Sequence, residues 1–332
     1  IQVNGHKYTT LRLESLNSLP GFVREKWYGI NQLYQLRQML QDLEDGNWST
    51  YTARFNTMRK IILGGSRNGQ TLSIAADYDT IVKFSPSIRK FLTEGLPAIT
   101  TGTPRFPDFS QFDHPWYTKG YKSLENARTA SHTNEAFVVP TRLSHVGEGG
   151  RVFEEGAKIT GSDLTVAQYI EGFYLWNKLA VLGAHDATAI IDMDSGWFVY
   201  QSDEDPSPGA TIKIYDAGAA FVYNNMGTSG DFPIELQAAM IGAVAKLDGP
   251  TPQADRAGHI SMRRYFRKET DEQRRKIRED IMATTRAEMS DMLSRLSAWT
   301  SSRRIVITNS YFYSQQGTAL ELQKCSLKEF SC

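Results

Sequence analysis

Cysteine is nearly absent: the 332 residues hold two, Cys325 and Cys332, both near the C-terminal end. So few thiols exclude a cysteine-rich zinc module and leave a pairing of the two within the tail open. No apolar run approaches the ~20 residues that a bilayer-spanning helix needs, so no membrane partner is expected. The N-terminus also lacks the basic-then-apolar order of a secretory leader. Net charge is missing too. Lysine plus arginine and aspartate plus glutamate each number 37, so no whole-chain field draws the protein to nucleic acid or membrane, which argues against a protein that coats a polynucleotide. The six histidines show no metal-ligand spacing, and neither a Ser-His-Asp nor a His-Cys grouping stands out. There is no internal repeat and no low-complexity tract. These absences point to a cytoplasmic chain with a sizeable core, in one large or two closely packed domains.

What is present is periodicity. Val23, Trp27, Ile30, Leu33, Leu36, Leu40 and Leu43 recur at three- and four-residue spacing, which predicts one long helix ending near Gly46. Proline, glycine, serine and aromatic residues break the pattern between 85 and 131, predicting irregular structure with short helices. Residues 136–139 and 151–153 read as strands, and Ser162 as the cap of a helix carrying Val166, Tyr169, Ile170, Phe173 and Leu179. Residues 189–194 and 197–200 read as a hairpin, with 211–216 as a further strand. Helices then dominate: one begins at Pro233, and another opens on a Thr270/Gln273 capping box and carries Ile277, Ile281, Met292, Leu296 and Trp299.

The segment 61–84 concentrates the chemistry. Ile61, Ile62 and Leu63 run into Gly64, Gly65 and Ser66, where missing side chains let backbone N–H groups approach an anion and the Ser66 hydroxyl adds a donor. Asp77 and Asp79 follow and lead into the strand-like residues 80–84. On a strand, positions i and i+2 share a face, so both carboxylates can meet hard cations and a triphosphate.

This order of apolar strand, Gly-Gly-Ser and Asp-x-Asp resembles the nucleotidyltransferase superfamily of DNA polymerase β. The spacing of Gly65-Ser66, Gly69, Thr71 and Asp77-x-Asp79 is most similar to that of oligoadenylate synthetases, cyclic GMP–AMP synthase and bacterial cyclic-oligonucleotide synthases. The resemblance covers some two dozen residues. It implies an α+β fold: a mixed-sheet catalytic core with an N-terminal spine helix over residues 1–230, and a helical C-terminal lobe over 231–332. It implies template-independent joining of ATP or other ribonucleoside triphosphates by two Mg²⁺ or Mn²⁺ ions, giving an oligonucleotide or cyclic dinucleotide signal. Asp77 and Asp79 would hold the ions together with a third carboxylate. Asp216 is the first choice and Asp192 or Asp194 the substitute. Gly64, Gly65, Ser66, Arg67, Thr71 and Tyr311 would contact the nucleotide. Nine basic against three acidic residues between 256 and 278 offer a site for RNA or a regulatory ligand.

Three alternatives stand beside this reading. One is 3′-end tailing of RNA. A second is a kinase-like phosphotransferase, because Ile212 to Gly218 looks like a kinase strand followed by Asp-x-Gly, with His185-Asp186 and Lys83 in supporting places. The third is a non-catalytic nucleotide-binding scaffold.

Overall fold

In the computed structural model the described residues are 1–63, 72–95, 118, 120, 122, 134–154, 157–249, 253–299, 302–325 and 327. They form two compact units. The first comprises Ile1–Leu36, Asp113–Gly249 and Arg275–Cys332, and the second Arg37–Phe112 and Pro250–Arg274.

The first unit is built on a six-stranded sheet. Its strands are β1 (Asn134–Val138), β2 (Ser144–Arg151), β3 (Asp186–Ile191), β4 (Trp197–Asp205), β5 (Arg303–Thr308) and β6 (Leu322–Cys325), in the spatial order β3-β4-β2-β5-β1-β6. β2 runs antiparallel to both β4 and β5, and β3 antiparallel to β4, while β1 is parallel to β5 and β6. Side chains alternate between the two faces, which gives the unit two cores. Phe137, Val139, Trp197, Val199, Ile305 and Ile307 gather on one face with Leu13 and Ile30. Ala136, Val146, Phe198, Tyr200 and Val306 point to the other, under helices. Complete burial of a side chain such as Leu13 or Phe137 contributes about 1.5–3 kcal/mol.

On the first face, helix α1 (Gly5–Asn17) lies across β2, β4 and β5, with α2 (Leu19–Tyr28) folded back on it. Its close approach depends on Gly147 of β2. A Cβ there would stand 2.9 Å from Leu13 Cδ1 and 3.1 Å from Thr9 Cβ. α2 and the next helix, α3 (Ile30–Glu44), are separate, so the single long helix read from the leucine stripe is broken. The break falls at Gly29, whose backbone is extended and whose hydrogen atoms leave room for the Glu25 carboxylate; a Cβ would come within 1.7 Å of Glu25 Oε2.

Helices cover the opposite face. α6 (Gly161–Tyr169) starts on a Thr160/Asp163 capping box and continues through the π-helical turn Ile170–Leu175 into α7 (Trp176–Leu182). It stops at Gly183, whose φ of 92° is the left-handed conformation that favours glycine. Then come α8 (Pro208–Thr228), α9 (Phe232–Leu247), α11 (Asp271–Met282), α12 (Arg286–Ser297) and the short α13 (Ser310–Gln316). Residues 211–216, expected as a strand, lie inside α8. Ile212 and Ile214 alternate as on a strand, but the wider set Thr211, Tyr215, Gly218, Ala219 and Val222 is buried at helical spacing, and Pro208 starts the helix. The last helix of the sequence reading divides into α11 and α12, because Thr285 and Glu288 form a second capping box. β5, which the sequence reading did not identify, is a central strand.

In the second unit the described residues are helical apart from turns and the irregular segments 72–77 and 268–270. They belong to the end of α3, α4 (Trp48–Leu63), α5 (Tyr78–Lys90), α10 (Gln253–Ile260), two π-helical turns and the start of α11. The strand pair expected around Gly-Gly-Ser is not formed. Residues 61–63 are the last turn of α4, and residues 80–84 belong to α5. β-branched Thr80, Ile81 and Val82 suggested a strand, but Asp77 caps a helix here, its carboxylate accepting from Thr80 N at 2.9 Å and Thr80 Oγ1 at 2.7 Å. Among the described residues no helix is long and apolar enough to cross a membrane.

Candidate functional site

The polar residues of the first unit concentrate where α1 meets the sheet. His145 on β2 is almost fully buried, and its Nδ1 lies 2.7 Å from Asp203 Oδ1 on β4. His6, in the first turn of α1, brings its own Nδ1 to 2.8 Å from the same oxygen. The other ring nitrogen of His145 is 3.1 Å from the carbonyl of Gln2. Two local features produce this convergence. Gly5 allows α1 to start against the imidazole, since a Cβ there would be 2.1 Å from His145 Cδ2. A β-bulge sets Asp203 and Glu204 opposite the single residue His145, with Glu204 at a φ of 46°, and Asp203 is thereby aimed at α1.

Further along the same face, Thr10 donates to Gln201 at 3.0 Å, and Arg12 donates from Nε and Nη2 to the two oxygens of Glu135, both at 2.7 Å. Two more carboxylates lie buried under α1 and α2. Loss of hydration pushes Glu14 up to about 7 despite the nearby charge of Arg24. Glu25 is likewise raised to about 7 by burial, against the pull of Arg12 and the Asn31 N–H.

A second cluster lies on the helical face. Arg304 on β5 donates from Nε to the buried Glu148 on β2 at 2.9 Å and from Nη2 to Asp216 on α8. Burial raises the Glu148 carboxyl, with Arg304 opposing. Tyr200 and Tyr215 stack at 5.1 Å beside it, and burial pushes both hydroxyls up. Burial also raises Tyr174 to about 12.

The expected site residues are distributed as follows. Gly64, Gly65, Ser66, Arg67, Gly69 and Thr71 lie outside the described residues. Asp77 is the cap of α5, and Asp79 is exposed in its first turn. Asp216 belongs to the other unit, on a helix and held by Arg304. Asp192 sits in the β3–β4 turn, where it accepts from Ser195 Oγ at 2.7 Å and Trp197 Nε1 at 2.8 Å, and Asp194 lies beside it. Tyr311 is exposed on α13. The basic stretch 256–278 is largely neutralised by its neighbours: Arg263 and Arg264 pair with Asp271, Arg274 with Glu269, Arg275 with Glu279, Lys276 with Asp280 and Arg278 with Asp248. Sequence reasoning missed His6, His145 and Asp203 because they are far apart in the chain. The signal available was a lone histidine within a buried glycine-rich strand.

A family model described as the PreP C-terminal domain matches residues 134–310, from the first residue of β1 to the first of α13. The match covers more than half of the chain, and the chain belongs to that family. Presequence protease 1, chloroplastic/mitochondrial, of Arabidopsis thaliana is 26% identical over 289 residues, which are 87% of this chain and 24% of that protein. The chain thus spans about a quarter of that relative's length. Among solved structures, pitrilysin gives a TM-score of 0.40 at 14% identity, covering 82% of this chain and 33% of its own. A protease from Helicobacter pylori gives 0.44 at 12% identity, covering 70% and 53%. An inactive peptidase M16 domain from Pseudomonas fluorescens gives 0.39 at 11% identity, covering 63% and 48%. At such scores these likenesses carry no information on activity.

Family membership overturns the nucleotidyltransferase resemblance and what it implied: the catalytic core with a helical lobe, the nucleotide-joining activity, and the ATP and RNA partners. The tailing, kinase and nucleotide-scaffold alternatives fall with it. Magnesium, which rested on that resemblance, loses its support as well; zinc, the ion of metalloproteases, is the group to set against the residues present. Inverted zincins bind that ion through His-x-x-Glu-His, placed on a helix so that the ligands share a face. The sequence contains no such run; residues 132–136 and 145–149 match only as far as the glutamate. His145 and Glu148, moreover, are three apart on a strand, so one faces α1 and the other α8. The residues of this chain do not fit the motif's zinc site.

Proposed function

We propose that this chain is a supporting portion of a presequence-protease-type peptidase, one that helps to hold peptide substrate and leaves cleavage to a segment carrying the inverted zinc motif. The observation that carries the reading is the family match over 134–310, which takes in β1 to β5 and so most of the sheet. Its relative's name supports a presequence as substrate class, and organelle presequences are amphipathic, arginine-rich and poor in acids. The buried Arg12–Glu135 pair between α1 and the sheet supports a rigid structural role, because its two parallel hydrogen bonds fix the orientation of the helix on the strands. Cytosolic residence, expected from the sequence, competes here with an organelle, which the relative's chloroplastic/mitochondrial name supports. Cell fractionation decides between them.

The test is cleavage of a labelled arginine-rich amphipathic peptide. The chain alone should leave the peptide intact, and the chain mixed with the motif-bearing part of the Arabidopsis relative should cleave it in a chelator-sensitive way. Cleavage by the chain alone, or none by the mixture, overturns the proposal.

A further inference from the structure

Three donors of the first unit, one from a helix and two from adjacent strands, meet at a single point. His6 Nδ1, His145 Nδ1 and a carboxylate oxygen of Asp203 all lie within 4.8 Å of one another. We propose that they form a binding site for a divalent transition ion of the zinc type, with water completing the coordination.

The chemistry of the set favours that class. Two imidazole nitrogens and one carboxylate oxygen are borderline ligands, suited to Zn²⁺, Co²⁺ or Ni²⁺ and poorly matched to Mg²⁺ or Ca²⁺, which take oxygen donors. Three protein ligands plus water is a common arrangement for zinc. The geometry is close to what an ion requires. Ligand distances of about 2.0–2.1 Å at a tetrahedral centre separate the ligand atoms by roughly 3.3 Å. Both imidazole nitrogens now stand 2.7–2.8 Å from Asp203 Oδ1, so small rotations of the partly exposed His6 and Asp203 side chains, moving their ligand atoms by about half an ångström, open the space.

Two observations separate this cluster from an aspartate that merely bridges two histidines. The first is the outer partner of His145. Ligating histidines almost always donate their second ring N–H to a carbonyl or carboxylate, and Nε2 of His145 already faces the Gln2 carbonyl at 3.1 Å, leaving Nδ1 for an ion. The second is His6. Its Nδ1 is buried and close to Asp203, yet it makes no aligned hydrogen bond in the present geometry, as expected of a nitrogen whose lone pair is reserved for another partner. His6 and Asp203 are partly exposed at 23% and 16%, which gives an ion and its water a route in, whereas His145 at 1% anchors the site. Gly5 and the bulge at Glu204 are the backbone features that bring the donors together.

The experiment uses the 332-residue chain without a polyhistidine tag, stripped of metal and titrated with Zn²⁺ against a chromophoric chelator, then with Co²⁺ followed by visible absorption. One equivalent of Zn²⁺ should bind, Co²⁺ should give a ligand-field band of a low-symmetry nitrogen–oxygen site, and saturating Zn²⁺ should raise the thermal midpoint. His6→Ala and Asp203→Asn should each weaken Zn²⁺ binding by about 100-fold or more, beyond the effect typical of losing an outer partner. The exposed His185→Ala serves as the control and should bind as the parent does. Both test residues are partly exposed, so each variant is expected to fold, and an unshifted circular dichroism spectrum confirms it. Absence of stoichiometric Zn²⁺ binding, or unchanged affinity in folded His6→Ala or Asp203→Asn, overturns the proposal.

Discussion

Arg12 of α1 grips Glu135 of β1 through two hydrogen bonds of 2.7 Å, a fork-to-fork pair whose side chains are only 14% and 6% exposed. This pair fixes the position of α1 along the sheet, and with it the position of His6 over His145. Arg12→Met should therefore destabilise the first unit by about 3 kcal/mol, because the Glu135 carboxylate stays buried without its partner. The charge of Arg303 nearby keeps the figure at the low end of the usual range. Adding Glu135→Met should restore most of the loss, a pattern that urea unfolding of the single and double variants checks.

Glu14 and Glu25 make stability depend on pH. Burial raises both carboxyls from 4.5 to about 7 in the folded protein. The folded state therefore binds protons more tightly than the unfolded one between those values. The stabilisation is fully present below about pH 4.5 and is lost as pH rises through about 7, up to about 3 kcal/mol for each group. Glu25→Gln should flatten the profile over pH 4.5–7 and leave the protein more stable than the parent at pH 8. A profile of unchanged steepness contradicts the assignment.

Packing of α6 on α11 gives a third test. A Cβ on Gly161 would stand 2.1 Å from Ile277 O and 2.7 Å from Ile281 N, backbone atoms that cannot swing aside. Gly161→Ala should cost about 1–3 kcal/mol through displacement of α11, seen as a lower urea midpoint.

Asp77 offers a fourth, because its place at the start of α5 distinguishes a cap from a metal ligand. Asp77→Ala should increase amide exchange over the first turn of α5, and Asp77→Asn, which retains the accepting oxygen, should leave exchange near that of the parent. Equal protection in Asp77→Ala would remove the cap from the account.

These outcomes bear on what the sequence made legible. The β3–β4 hairpin, the start at Pro233 and the Thr270/Gln273 box were readable because each depends on neighbours in the chain; the box is seen in mutual bonds of 2.7 and 3.1 Å. Thr80 to Phe84 and Thr211 to Asp216 misled because five or six residues of β-branched or alternating apolar character fit a strand, while the cap of α5 and the longer burial period of α8 decide for helix. The nucleotidyltransferase resemblance, built on residues 61–84, needed 61–63 and 80–84 to be strands, and both stretches are helical. The α1–sheet site was illegible for a different reason. His6, His145 and Asp203 come together only through a bulge, a bare glycine and a helix laid across three strands.

The central claim is that the chain acts as the C-terminal supporting portion of a presequence-protease-type peptidase, and the most direct measurement is replacement. The segment of the Arabidopsis relative that aligns with this chain is exchanged for it, and cleavage of an arginine-rich presequence peptide by the chimaera is followed over time. The account predicts chelator-sensitive cleavage by the chimaera and none by the relative with the segment deleted. A folded chimaera no more active than the deletion, or a deletion as active as the intact enzyme, would contradict it.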